Sequence, residues 1–309
     1  MNTKFMPQLQ SDKTQYVYNG KYQGEVSPSY APGLFSLNYS VCAFEGIRSY
    51  ATNKDSIAGI FRLEEHIDRF LMSCNYLNLN SEHINRQTLL SLTIDLVAKC
   101  RDRDLYIRPI AFFGEGIMSL SSPPAVQMVI MATPFSTMPK KQPLNIEVSD
   151  IVRDTKTINK KISRNYFDSY MALGKKSAGF NEVMMFDDQG FVTETSAHNI
   201  IFKLNNGEYV TPSDEYCLPG ITRKTAIELL KEMAITVNYR SVHKDELNKV
   251  VACALTSTAS EIRVVDQIGG QQLIGHKQAC DEIIQCYKSL TTGYLPESDK
   301  KWVTYVTAY

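Results

Sequence analysis

Apolar and polar positions along the first sixty residues fall in short alternating runs broken by turn residues. In 16-YVYNGKY-22 an Asn-Gly pair separates aromatic and β-branched positions, a strong hairpin signal. Strand patterns continue through 41-VCAFEGIRSY-50 and 57-IAGIFR-62. From Leu63 the period lengthens. Leu63, Ile67, Phe70, Leu71, Cys74 and Leu77 share one helical face, and Glu64 and Glu65 suit the positive N-terminal end. A second helix is expected over roughly 86–100 with Leu89, Leu92 and Val97 inward, and strands return in 105-LYIRPIAFF-113 and 125-AVQMVIMATPF-135.

The polar, twice-proline stretch 136-STMPKKQPL-144 reads as an interdomain linker. Beyond it, 182-EVMMFDDQGFVTE-194 reads as strand, turn, strand, and 199-NIIFKLNNGEYVTP-212 as a hairpin around Asn206-Gly207. A helix follows Pro219-Gly220, with Ala226, Leu229, Leu230 and Met233 as its apolar stripe and Thr222 as its N-cap. Runs of strands and helices without a regular βαβ repeat define an α+β class. The expected division is a small N-terminal α+β domain at 1–135, a linker at 136–146 and a larger C-terminal domain at 147–309.

Composition narrows the function. Lys+Arg and Asp+Glu are both 33 in 309 residues, so no net field favours nucleic acid or an anionic membrane, and small molecules are the expected partners. The seven cysteines lack CxxC or Cys/His spacing, which points to free thiols in a reducing compartment and to no metal site. MNTKFMPQLQSDKTQ has no apolar signal region and no run reaches 18 apolar residues, so a cytoplasmic protein is expected.

Several polar residues stand where a plain fold would not put them. Arg62 closes an apolar strand, Tyr106 and Arg108 share one face of another, and Glu194 ends a third. The turn 218-LPGITR-223 enters a helix whose first N–H groups can meet an anion. The stretch 256-TSTASE-261 is small and hydroxyl-rich, and 159-NKKISRNYFDSY-170 sets Lys160 and Lys161, with Lys156 upstream, among aromatic residues. Each feature alone has an ordinary structural explanation, as a surface cation, an ion pair or a turn. Together they indicate an anion-binding α+β enzyme and leave the working lysine undecided.

Their order along the chain is more specific. FEGIR (44–48), FRLEEHIDRF (61–70), YIRP (106–109), K-x-x-x-N-Y (161–166), D-x-x-G-x-V-x-E (187–194), LPGITR (218–223) and TSTASEI (256–262) resemble the class IV, fold-type IV pyridoxal-phosphate aminotransferases, and within them the branched-chain amino acid aminotransferases. The resemblance runs from about Tyr16 to about Tyr294. It implies the two-domain D-amino acid aminotransferase-like fold, pyridoxal 5'-phosphate as cofactor bound in the C-terminal domain, and a homodimer or higher homo-oligomer. The implied reaction is ping-pong transamination between an L-branched-chain amino acid and 2-oxoglutarate.

The resemblance also assigns residues. Lys161, four positions before the Asn-Tyr pair, is the Schiff-base lysine and later the proton-moving base. Glu194 partners the pyridine nitrogen, and Tyr166 hydrogen-bonds the cofactor's 3′-oxygen. Arg62, Leu218, Ile221, Thr222 and Thr258 complete the cofactor set, chiefly around the phosphate. Tyr106, with the backbone N–H groups of Thr258 and Ala259, receives the substrate α-carboxylate. Arg108 takes the γ-carboxylate of glutamate in a pocket lined by Tyr39 and Phe44.

Three departures from the family pattern leave other readings open. Ile162-Ser163-Arg164 follow the lysine where small residues are usual, Ser257 stands for a loop glycine, and 275-GHKQACDE-282 lacks a glycine-proline pair. The alternative is a class IV enzyme of other substrate or chemistry: a specialised, D-amino acid or amine transaminase, or an aminodeoxychorismate lyase type. A non-catalytic relative is the third reading, opposed by the presence of both Lys161 and Glu194.

Overall fold

The computed structural model describes residues 11–117, 119–135, 144–273, 277–294 and 302–307. Contacts divide the chain into two units. The first comprises Met1–Pro139, Lys160–Arg164 and Thr291–Tyr309; the second comprises Lys140–Asn159 and Asn165–Leu290.

The first unit contains β1 (Gln15–Tyr18), β2 (Lys21–Gly24), α1 (Phe35–Tyr39), β3 (Cys42–Phe44), β4 (Ile47–Ala51), β5 (Ile57–Phe61), α2 (Leu63–Tyr76), α3 (Arg86–Lys99), β6 (Leu105–Phe113) and β7 (Val126–Pro134). The expected hairpin forms around Asn19 and Gly20, both at positive φ (45° and 77°), the combination a two-residue turn of this hand requires. The strand Val303–Thr307 heads an antiparallel sheet that continues β5-β4-β6-β7-β1-β2, with β3 also paired to β6. Ile47, Ile60, Ile107 and Ile130 of the sheet join Leu63, Ile67, Phe70, Leu89 and Leu96 of the two long helices in one core. The apolar stripe read from Leu63 onward is the buried face of α2.

An ion pair lies inside this core. Glu45, with no exposed surface, accepts from Arg69 Nε at 2.8 Å and Arg69 Nη2 at 2.7 Å, and from the Gly46 N–H at 2.8 Å. Burial opposes its ionisation, but the Arg69 charge and a contact from His66 hold the carboxyl well below the usual range. His66 Nδ1 stands 3.4 Å from Glu45 Oε1. Burial lowers the His66 pKa against the pull of Glu45, with Arg69 and Lys161 adding to the lowering.

The second unit contains β8 (Asn145–Val152), α4 (Asn165–Lys175), β9 (Glu182–Phe186), β10 (Val192–Thr195), β11 (Asn199–Leu204), β12 (Tyr209–Thr211), α5 (Ile221–Glu232), β13 (Val237–Tyr239), β14 (Val250–Ser257), β15 (Glu261–Val264), β16 (Gln267–Ile268), β17 (Gln271–Gln272) and all but the last two residues of α6 (Lys277–Thr292). Its sheets run β10-β9-β8-β16-β17 and β13-β12-β11-β14-β15. Ile146, Met184, Phe202, Val210 and Leu255 belong to their shared core.

The divisions drawn from sequence shift at two places. Residues 160–164, expected within the C-terminal domain, group with the first unit because Ile162 bridges Ala43, Lys161 O accepts from Phe44 N–H at 3.2 Å, and Ser163 N–H reaches Cys42 O at 2.9 Å. The strand Val303–Thr307 likewise satisfies its backbone on β5. Both partners are remote in sequence, where local periodicity carries no signal. Of the expected linker, 136–143 lie outside the described residues. A further correction concerns α5: Gly220, not Thr222, is its N-cap, and no side chain caps it.

Replacing Arg69 by Met should cost about 3–5 kcal/mol in denaturant unfolding, because Glu45 is left buried without its partner charge. The double variant Glu45→Gln/Arg69→Met should recover part of that loss. Since the folded pKa of Glu45 is depressed, its contribution is full above about pH 4.3 and falls away as pH drops below it.

Candidate active site

In the first unit, Lys161 sits in the extended segment that β3 holds. Its N–H donates to Ser73 Oγ at 3.0 Å, and that hydroxyl donates to Arg69 O at 3.0 Å one turn back along α2. Lys161 Nζ lies 5.3 Å from the Phe44 ring centre. The Arg108 guanidinium stands 5.1 Å from the same ring and donates to Tyr106 Oη at 3.1 Å. Tyr106 and Arg108 are two residues apart on β6, so they emerge on the same face while Leu105 and Ile107 enter the core. A Cβ on Gly46 would lie 2.2 Å from Tyr106 Oη, which gives the glycine of FEGIR its reason. Phe44, Tyr106, Arg108 and Lys161 are thus brought together; Tyr39 ends α1 with its ring 4.6 Å from that of Phe35.

Arg62 occupies the junction of β5 and α2 in a left-handed conformation, φ 48°, uncommon for a residue with a side chain. Its guanidinium bonds Glu65 at 2.6 Å and lies 4.0 Å from the Trp302 ring centre. Backbone strain of this kind persists only where surroundings fix it, and here Trp302 O accepts the Arg62 N–H.

In the second unit, Glu194 is buried at the end of β10 and held from three sides. Oε1 accepts from Arg153 Nη2 at 2.9 Å, and Oε2 accepts from Asn199 Nδ2 at 3.3 Å and Leu218 N–H at 3.2 Å. Asn199 Nδ2 also donates to Leu218 O at 2.8 Å, and Arg153 Nη1 to Ser169 Oγ at 2.7 Å. A Cβ on Gly220 would fall 1.7 Å from Asn199 Oδ1, so the glycine of LPGITR is fixed by close approach. Past it, the N–H groups of Ile221 and Thr222 lie in the uncapped first turn of α5. Arg223 of that turn is buried and secures the preceding loop through Pro212 O at 2.6 Å and an ion pair with Asp214.

Tyr166 stands in the first turn of α4, half-buried. Its neighbour Asn165 exchanges hydrogen bonds with Thr157, accepting from Oγ1 at 2.6 Å and donating to the carbonyl at 2.7 Å. Thr258 and Ala259 form the turn between β14 and β15, whose register pairs Ser257 with Glu261. Ser257 does not adopt positive φ; the left-handed residue is Glu261, φ 60°. Arg164, whose side chain sequence left unplaced, is exposed, as is Lys156, and Lys160 Nζ lies 5.8 Å from the Tyr76 ring centre.

Sequence reasoning missed Arg153, Asn199, Ser73 and Trp302. Each unit by itself carries groups that fit part of pyridoxal phosphate: in the first, an amine suits its aldehyde and a guanidinium its phosphate; in the second, a buried carboxylate neutralised by Arg153 suits a protonated ring nitrogen and uncapped helix amides suit a phosphate. Among the described residues no cluster of metal-binding side chains occurs and no helix is long and apolar enough to cross a membrane.

Solved structures share this architecture. The branched-chain aminotransferase of Thermoproteus uzoniensis, solved with norvaline, has a TM-score of 0.84 at 26% identity over 94% of this chain and 98% of that one. The branched-chain amino acid aminotransferase from Escherichia coli has a TM-score of 0.83 at 25% identity, over 94% and 98%. The fold is that of the fold-type IV aminotransferases. In sequence, a Pseudomonas aeruginosa branched-chain-amino-acid aminotransferase is 29% identical over 88% of this chain and 90% of its own. A probable branched-chain-amino-acid aminotransferase of Aquifex aeolicus is 30% identical over 87% and 89%. The model of the amino-transferase class IV family matches residues 43–268, and the chain belongs to that family. It is a pyridoxal-phosphate-dependent aminotransferase.

Gly220→Ala should shift Asn199 and the start of α5, lowering stability by about 1–3 kcal/mol in thermal unfolding. The same variant should lose visible cofactor absorbance on gel filtration faster than the unaltered protein.

Proposed function

We propose that this chain transfers the amino group between L-branched-chain amino acids and 2-oxoglutarate, with Lys161 as the cofactor lysine. One observation carries the substrate reading: Arg108 lies over Phe44 and bonds Tyr106, beside the Lys161 amine. An aromatic surface accommodates an aliphatic side chain, and a guanidinium beside it receives the second carboxylate of glutamate. One pocket then serves both half-reactions. The names of the relatives from P. aeruginosa and A. aeolicus agree with this substrate class.

The Lys161 amine would hold pyridoxal phosphate, whose chemistry would be a conjugated ring able to take up the electron pair of the substrate's Cα–H bond. With the cofactor in place, Lys161 Nζ would be the base that takes the proton from that Cα. Ser73, through the Lys161 N–H, restrains the segment that carries the amine. Glu194 accepts the hydrogen bond of the ring nitrogen, and Arg153, Asn199 and Leu218 hold its oxygens in place. Arg62 and the N–H groups of Ile221 and Thr222, with Thr258, bind the phosphate. Tyr166 bonds the ring's 3′-oxygen. Tyr106 and the Thr258 and Ala259 N–H groups receive the substrate α-carboxylate, and Tyr39 with Phe44 lines the side-chain pocket.

We further infer a cytoplasmic homodimer or higher homo-oligomer acting on free amino acids and 2-oxo acids. The free cysteines among the described residues support a reducing compartment.

The visible spectrum of the holoenzyme should change on addition of L-leucine and revert with 2-oxoglutarate, while D-alanine leaves it unaltered; a response to D-alanine alone would reverse the substrate assignment. Lys161→Ala should abolish turnover. Glu194→Gln should lower kcat by orders of magnitude while cofactor still binds.

A further inference from the structure

A second chain of polar side chains runs through the unit that holds Glu194, and the reaction described above does not use it. Glu182 begins β9, buried, with Oε1 accepting from Val183 N–H at 2.8 Å and Ser196 N–H at 3.3 Å. Its other oxygen faces His198 Nδ1 at 3.0 Å. On the far side of the imidazole, Nε2 lies 2.8 Å from Ser260 Oγ. Ser260 Oγ lies 2.7 Å from Ser257 Oγ, which in turn accepts the Ser260 N–H at 3.3 Å.

The hydrogen bonds of this chain have one consistent direction. A carboxylate can only accept, so Nδ1 carries a proton and donates to Glu182. In the neutral imidazole Nε2 is then the acceptor, and Ser260 Oγ–H donates to it. Ser260 Oγ is left to accept from Ser257 Oγ–H, and Ser257 Oγ accepts the Ser260 N–H. Burial works to raise the Glu182 carboxyl, but hydrogen bonds from His198, Ser196 and Val183 hold it below the usual range, so the acceptor end of the chain is fixed.

We propose that Glu182, His198, Ser260 and Ser257 are positioning residues that hold the 257–261 turn and thereby aim the backbone of Thr258 and Ala259 at the substrate carboxylate. The turn contains no glycine, and its left-handed residue is Glu261 at φ 60°. What a glycine leaves to backbone geometry, this chain settles with side-chain bonds across the turn. The first two members of the relay lie outside the turn: Glu182 on β9 and His198 in the bend before β11. The turn is therefore tied to β9, which pairs with the strand of Glu194, and to the residue just before Asn199, one of the donors that hold Glu194.

The assignment of the carboxylate to Thr258 and Ala259 rests on the proposed function; the restraint of the turn does not. The test accordingly has two arms on the holoenzyme of Ser260→Ala and Ser260→Thr. Hydrogen exchange of the 257–261 amides should quicken at least tenfold in Ser260→Ala and return towards the original rate in Ser260→Thr. Unchanged exchange in Ser260→Ala would overturn the relay, whatever the substrate is. In the second arm, 4-methylvaleric acid is titrated against cofactor absorbance. Its Kd should weaken about fivefold to tenfold in Ser260→Ala, about 1.0–1.4 kcal/mol, with thermal midpoint and cofactor content preserved. Faster exchange with an unchanged Kd would overturn the link to the carboxylate. If the unaltered holoenzyme binds neither this acid nor L-leucine, the substrate reading fails, and the exchange arm alone decides the relay.

Discussion

A carboxylate with no exposed surface, set between a sheet and a helix, must be neutralised where it stands. Glu45 meets that demand through two Arg69 hydrogen bonds, and the consequence reaches beyond electrostatics. The ion pair locks the β3–β4 turn to the middle of α2. One turn further along α2, Ser73 takes the Lys161 N–H, while β3 itself takes the Lys161 carbonyl. The segment bearing the amine is therefore placed by the two elements that Glu45 and Arg69 bind together. His66, held neutral by its burial, packs beside the same carboxylate without adding a competing buried cation.

The second unit solves the analogous problem at Glu194 with a different division of labour. Arg153 neutralises one oxygen, and two neutral donors, Asn199 and the Leu218 N–H, orient the other. Asn199 also holds Leu218 O and closes against Gly220, so the carboxylate and the first turn of α5 share one side chain. The carboxylate and the uncapped amides, proposed above as acceptor for a ring nitrogen and donors for a phosphate, are thereby kept at a fixed separation. Two groups that must act on one rigid molecule gain from such a common support.

What could be read in the sequence follows from the range of the interaction. The α2 stripe, the Asn-Gly hairpins and the break before α5 are local, and the chain adopts them as periodicity and turn chemistry dictate. Arg153, Asn199 and Ser73 act across 41, 5 and 88 residues of sequence and carry no local mark. Even Asn199, the nearest of the three, reads as the ordinary start of a strand. The C-terminal strand and Trp302 escaped notice for the same reason, since their partners, β5 and Arg62, lie far upstream. Thr222 illustrates the opposite failure: a good capping residue two positions late, because Asn199 admits only glycine where the cap falls.

The family motif itself changes meaning once contacts are known. In FEGIR the glutamate pairs with Arg69 and the glycine makes room for Tyr106, so the motif records a buried ion pair and a close approach. In LPGITR the arginine secures a loop while the backbone at the helix start remains uncapped. Both motifs are therefore largely scaffolding, recurring because the groups around them need it. The TSTASE turn differs in kind, because its hydroxyls come with bonding partners of their own. Ser257 has a hydroxyl partner in Ser260, Ser260 an imidazole in His198, and His198 a carboxylate in Glu182. A turn whose hydroxyls and imidazole each have a partner can be held by side chains alone, with no glycine in it.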